Sequence, residues 1–222
     1  MGFTDGFYYK PRIDKEILEK HHEGLICLSA CLAGEVQRYI IKGLIDEAEK
    51  VALRYQACFG AGNFYLELQD HGIPEQSTVN MELLKMSKKL GIPLVATNDV
   101  HFVEKEDGPA HDRLICLTTN AYIDDEDRLH YTQQEYLKSE EEMAALFPAH
   151  PEVISNTMEI FDKIESYKID KDPILPKFRI PEDFLADIDT YLEKYKDIID
   201  VGRTDAKGNS RGDEFTWSVA YL

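Results

Sequence analysis

The sequence predicts an α/β fold in which parallel strands alternate with helices, followed by a mostly helical C-terminal segment. Three observations carry this. The runs Gly24–Ser29, Phe64–Gln69 and Pro93–Asn98 are apolar almost throughout, as strands covered on both faces are. The stretches between them space their apolar residues at helical intervals. Glycine, proline and capping residues fall at the ends of those stretches. Strands separated by helices in this way form parallel sheets with right-handed crossovers.

Taken in order, Asp14 can cap a short helix that carries Ile17, Leu18 and His21. Strand Gly24–Ser29 follows, then a helix from about Gly34 to Ile41 that stops at Gly43. The next helix places Ile45, Ala48, Ala52, Tyr55 and Phe59 on one face and ends at Gly60. Strand Phe64–Gln69 leads to a helix opened by Pro74, with Val79, Leu83, Met86 and Leu90 on one face and Gly91 beyond its end. The third strand ends in Asp99 and His101.

Beyond residue 103 the strand rhythm stops. Ser139 and Glu142 form a capping box for a helix running through Phe147. Pro151 starts another, with Val153, Ile160 and Ile164 facing inward. The acidic runs Glu104–Asp107 and Asp124–Asp127 read as solvated loops. Tyr167–Arg179 reads as a connector, and Leu185, Ile188, Leu192, Tyr195 and Ile199 as the stripe of an amphipathic helix. Arg203–Asp213 is a loop whose Arg211-Gly212-Asp213 is ascribed to chance. Both ends of the chain are abrupt, and Phe215–Leu222 stops inside an apolar run, so an excised fragment is expected.

Composition narrows the functional classes. Hydrophobic residues make up 43% of the 222, enough for a core. No apolar run approaches the roughly 20 residues of a membrane helix, and the N-terminus lacks the pattern of a signal peptide. Cys27, Cys31, Cys58 and Cys116 form no Cys-x-x-Cys pair, which fits a reducing, cytoplasmic setting. The net charge of −17 opposes a strong grip on a phosphate backbone by this chain alone. A nucleic-acid role therefore requires another part of a larger protein, or a bridging metal ion.

Three strand ends carry chemistry. Asp99-x-His101 is a two-point metal grip: in an extended strand the two side chains project to the same side. A polar strand end capped by water is the plainer reading of the same residues. Cys31, just past the first strand, supplies a thiolate suited to zinc, although a lone cysteine is more often a small buried hydrophobe. Glu67 and Gln69 share a face of the second strand, with Asp70 and His71 at its end. These can orient metal ligands by hydrogen bonds, or simply form a turn closed by Gly72. In a β/α-repeat fold the three ends converge on one face. His111, after Pro109, can lie near the Asp99/His101 loop, though nothing requires it. There is no Gly-x-Gly-x-x-Gly, P-loop, Gly-x-Ser-x-Gly or His-Glu-x-x-His motif. Cys31, Asp99 and His101 are too few for two-metal hydrolysis.

Several stretches resemble the alpha-subunit family of bacterial DNA polymerase III. They are Gly6–Asp14, Leu28–Glu35, Tyr65–Gly72, Ala96–His101, Tyr136–Ser139, Met143–Pro148 and Leu175–Phe178. Their order places the chain in the second half of the polymerase and histidinol phosphatase (PHP) domain, with the start of the polymerase core after it. The resemblance implies a partial distorted β/α barrel of PHP type over residues 1–166, a connector over 167–181 and a truncated helical start of the core over 182–222. It implies that Cys31, Asp99 and His101 are metal ligands, zinc above others; Glu67, Gln69 and His71 remain candidates to orient them on the strand-end reading alone. Catalytic residues are expected to be absent, because the polymerase aspartates and their Mg lie outside this chain.

By that resemblance the whole protein is a DNA-directed DNA polymerase, a nucleotidyltransferase that acts on DNA and deoxynucleotides. Its partners are a proofreading exonuclease and a sliding clamp, with no membrane. The PHP portion is then a metal-binding structural or exonuclease-related module. Its alternatives are a 3′–5′ exonuclease or phosphoesterase in its own right, and a scaffold that docks a proofreading subunit. The chain by itself is expected to be inactive, to bind metal weakly or not at all, and to oligomerise where its sheet edges are open.

Overall fold

A computed structural model describes residues 2–168, 170 and 188–196. The chain divides into two compact units, Met1–Glu165 and Ser166–Leu222. In the second, the described element is one short helix, Ile188–Lys194, within the stripe expected from Leu185 to Ile199. The remainder of that stripe, the Leu175–Phe178 motif, most of the connector, the Arg203–Asp213 loop and the Phe215–Leu222 run lie outside the described residues.

The first unit is built on three parallel strands in the order β1-β2-β3: Cys27–Leu28, Phe64–Leu68 and Leu94–Ala96. β2 is central, with Leu28 opposite Tyr65 and Glu67 opposite Val95. All five of its residues are buried, as its apolar run predicts. Phe64, Leu66 and Leu68 join Leu94 and Ala96 in the main core cluster. By strand alternation Tyr65 and Glu67 take the opposite face. A short parallel arc backed by helices is the construction of an incomplete β/α barrel.

The helices follow the sequence signals closely. Asp14 caps α1 (Lys15–Lys20) by accepting the Ile17 N–H at 2.8 Å. α2 (Glu35–Ile41) starts after Gly34, and α3 (Ile45–Phe59) ends at Gly60. α3 buries Ala48, Ala52 and Phe59, the face that its spacing marks. α4 (Pro74–Leu90) buries Val79, Leu83 and Met86 and terminates on Gly91 at φ +68°, a left-handed position that favours glycine. α6 (Glu140–Leu146) has both bonds of the Ser139/Glu142 capping box, and α7 (Glu152–Lys163) packs on β3 through the fully buried Val153.

Four details differ from the sequence reading. β1 has two half-buried residues rather than a buried run of six, because backbone pairing with β2 covers only Cys27 and Leu28. β3 stops at Ala96, and Asp99 has φ +42°, so extension does not continue to His101. Ile164 caps α7 and is 59% exposed rather than inward. A helix that the sequence reading did not separate, α5 (Gly108–Thr119), follows the acidic turn at Lys105–Asp107.

Candidate metal centre

The C-terminal end of β2 ties together the two loops that carry the expected ligands. Glu67 is buried, and its Oε2 accepts the Ala30 N–H at 2.9 Å. Its Oε1 accepts the Thr97 hydroxyl and, at 3.3 Å, the Gln69 amide. One carboxylate thus holds both the residue before Cys31 and the segment leading to Asp99. Ala30 needs that support, since its φ of +67° is strained for a side-chain-bearing residue. Gln37 adds a second hold by donating to the Ala30 carbonyl and the Ser29 hydroxyl, both at 2.8 Å. Cys31 is half-buried and opens on a small cleft that Gln37, Glu67 and Gln69 also line.

His71, three residues past β2, grips the other loop. Gln76 accepts the His71 backbone N–H through Oε1 at 2.7 Å, which turns its amide nitrogen to His71 Nδ1 at 2.9 Å. Nδ1 is therefore the acceptor and the proton sits on Nε2. That proton is donated to the Asn98 carbonyl at 3.0 Å. Both ring nitrogens are occupied, so His71 braces the loop and has no free lone pair for a cation. Asn98 in turn donates to the carbonyls of Gln134 and Tyr136 at 2.9 and 2.7 Å. Asp70 serves the turn: its carboxylate accepts the Gly72 N–H at 3.0 Å, and Gly72 takes φ +76°.

Asp99 and His101 emerge from this brace. Their side chains are 44% and 31% exposed, with His101 Nε2 3.7 Å from Asp99 Oδ1. The His101 N–H donates to the Glu135 carbonyl at 2.8 Å, beside a parallel bridge between Phe102 and Tyr136. Glu135 is itself buried, and its Oε2 has no hydrogen-bond partner among the described residues. Burial pushes the Glu135 carboxyl up. Hydrogen bonds from the Thr132 hydroxyl and from backbone N–H groups outweigh it and hold the group below the usual glutamate range. The Tyr131 phenol is held above its usual range, by burial first and then by Asp99, Glu135 and Cys31. The Tyr131 ring centre lies 4.5 Å from that of His101.

The donor set fits part of a metal's shell. An oxygen and a nitrogen 3.7 Å apart can both reach one ion with bonds of about 2.1 Å. Among the described residues, however, no group of three or more His, Cys, Asp or Glu side chains is arranged to hold a metal. Asp99 and His101 are brought together, and Cys31 stands on the neighbouring loop without closing the set. The sequence offers His111 as a neighbour of the Asp99/His101 loop, and its ring centre lies 5.6 Å from that of His101; it offers no such signal for Tyr131 and Glu135. Only tertiary structure brings them here.

Comparison with known proteins adds a family context. Residues 1–71 match the PHP domain family, a span that includes Cys31, Glu67, Gln69 and His71 and stops short of Asp99 and His101. The chain is 45% identical over 184 residues to DNA polymerase III subunit alpha of Treponema pallidum (strain Nichols), covering 82% of this chain and 16% of that protein. It is 46% identical over 195 residues to the same subunit of Borreliella burgdorferi, covering 87% of this chain and 17% of that protein. Against the Deinococcus radiodurans subunit the figures are 45% over 148 residues, 66% of this chain and 11% of that protein. The chain therefore spans about a sixth of the length of the first two relatives.

Proposed function

With this chain a relative of one PHP-bearing segment of DNA polymerase III subunit alpha, we propose that it serves in a replicative DNA-directed DNA polymerase. In that protein it is the metal-binding PHP module. The whole enzyme adds deoxynucleotides to a primer 3′ end, in the cytoplasm, together with a proofreading exonuclease and a sliding clamp. Residues 1–166 form the PHP portion, 167–181 a connector and 182–222 the entry to the polymerase core. The observation that carries the reading is the 45% identity across 82% of the chain. The charge of −17 agrees with a module that leaves the DNA grip to other parts of the protein.

Within the module, Asp99 and His101 hold a divalent cation, zinc by preference if the Cys31 thiolate joins them. Such an ion supplies Lewis acidity toward a phosphoryl oxygen and lowers the pKa of bound water. Glu67 and Gln69 fix the Cys31 loop and the Thr97 segment, and His71 fixes the peptide that enters Asp99. The Asp99–His101 pair also supports a second reading, a 3′–5′ exonuclease or phosphoesterase activity of the module. Nuclease assay of the intact protein with Cys31→Ala, Asp99→Ala and His101→Ala separates the two readings. Activity lost in these variants favours the hydrolytic role. Activity absent throughout, with a lower melting temperature in the variants, favours a structural metal. Primer extension by the intact protein tests the parent assignment, and no DNA synthesis would overturn it.

A further inference from the structure

The groups packed on the His101 ring are not the ones assigned to the cation. His111 on α5 and Tyr131 in the following loop both face it, with ring centres 5.6 and 4.5 Å away and planes tilted by 37° and 56°. His111 and Tyr131 meet each other edge-on at 5.3 Å, which closes a triangle of rings. Phe102 also packs on His111, with ring centres 5.1 Å apart.

This triangle rests on a built scaffold. Arg128 donates to both carboxylate oxygens of Asp112, Nη1 at 2.6 Å and Nη2 at 2.7 Å, and its side chain is 5% exposed. Asp112 follows His111, and Arg128 lies three residues before Tyr131. The two-pronged pair therefore staples the Tyr131 loop to the helix that carries His111. Gly108 opens the same helix against Gln133 so closely that a Cβ there would come within 3.1 Å of the Gln133 side chain.

The His101 ring needs such support. Rotation about the Cβ–Cγ bond of histidine is broad, and metal-bound histidines normally have their ring fixed by a hydrogen bond from the other nitrogen. Among the described residues no hydrogen bond to the His101 ring is formed, and Asp99 Oδ1 stands 3.7 Å from its Nε2. We infer that His111 and Tyr131 are positioning residues that fix the direction of the His101 imidazole toward its cation by ring packing, with Asp112–Arg128 as their staple. The inference rests on His101 being a metal ligand.

The test is Zn²⁺ affinity of the intact protein by chelator competition, with the visible absorption of the Co²⁺-substituted protein as a second readout. His111→Ala and Tyr131→Ala are expected to weaken Zn²⁺ binding about tenfold and to shift the Co²⁺ bands. His111→Phe and Tyr131→Phe keep a ring and are expected to restore both. Arg128→Lys replaces a fork by a point charge and is expected to lower affinity with the fold intact, which covers the case of an alanine variant that does not fold. Wild-type affinity in His111→Ala, Tyr131→Ala and Arg128→Lys overturns the inference. So does a His111→Phe variant as weak as His111→Ala, which would make His111 a ligand. His101→Ala is the control: unchanged affinity there removes the ligand reading and this inference together, whereas a loss confined to His101→Ala removes this inference alone.

Discussion

His101 Nε2 stands 3.7 Å from Asp99 Oδ1, across a backbone that turns left-handed at Asp99 rather than running on as a strand. The two side chains meet because of that turn. A φ of +42° costs a non-glycine residue on the order of 1 kcal/mol, and the His71–Asn98 and Asn98–Tyr136 bonds at its entrance sustain it. The arrangement favours donor geometry over backbone comfort, which is common at functional sites.

Asp99 therefore separates stability from binding. Asp99→Gly relieves the turn and is expected to melt at or above the wild type, while Asp99→Ala melts lower by the equivalent of about 1 kcal/mol. Both remove the carboxylate, and on the proposed reading both are expected to lower the metal affinity of the intact protein. Thermal melts alongside Zn²⁺ titration check this, and an Asp99→Gly protein less stable than Asp99→Ala would refute it.

The Glu67 carboxylate accepts three hydrogen bonds, from Ala30, Gln69 and Thr97. Glu67→Ala leaves the Ala30 N–H without its acceptor and the Thr97 hydroxyl without its own. Each such loss costs about 1–3 kcal/mol. Chemical denaturation should show a clear drop in midpoint. Glu67→Gln should be intermediate, because an amide nitrogen must then face one of these donors. Equal stability of all three proteins would show that the network does not hold the loops.

Leu83, fully buried on α4 at the centre of the core, sets a scale for comparison. Leu83→Ala is expected to cost about 2–5 kcal/mol from lost burial and the cavity left behind. Its effect should leave any metal affinity of the folded protein unchanged, since Leu83 belongs to the core cluster and makes no hydrogen bond in the site. Denaturant unfolding with parallel metal titration tests both halves.

The alkaline limb of stability should report Cys27. Burial, with Cys58 and Glu67 nearby, pushes its thiol up from 9.0 to about 11. The unfolded chain ionises this group first, so the folded state loses stability as pH rises from about 9 to about 11. Below pH 9 the contribution is constant. Cys27→Ala should flatten the decline across that window. Melting curves at pH 8 to 11 decide, and an unchanged slope in the variant would contradict the burial of this thiol.

Much of the fold was legible because its signals are local. Gly60, Pro74, Gly91 and the Ser139/Glu142 box mark helix ends within one turn, and the apolar run Phe64–Leu68 needs no partner to be recognised as buried. What was not legible depends on contacts distant in sequence. α5 begins with Gly108-Pro109 and leaves Leu114 and Leu117 exposed, so its amphipathic pattern is weak. The trimming of β1 follows from its pairing with β2. Asp99 and His101 stood out as a donor pair in sequence, but their approach through a left-handed turn did not. The triangle with His111 and Tyr131 depends on Asp112 and Arg128 meeting across sixteen residues, which no local pattern announces.

The most direct test of the account is the metal content of the intact protein, measured by inductively coupled plasma mass spectrometry after purification without added metal. Bound zinc or another divalent ion is expected in the wild type. Loss of that metal is expected when Cys31, Asp99 and His101 are all replaced by alanine, with the fold retained by circular dichroism. Metal retained at the wild-type level in the triple variant would contradict it.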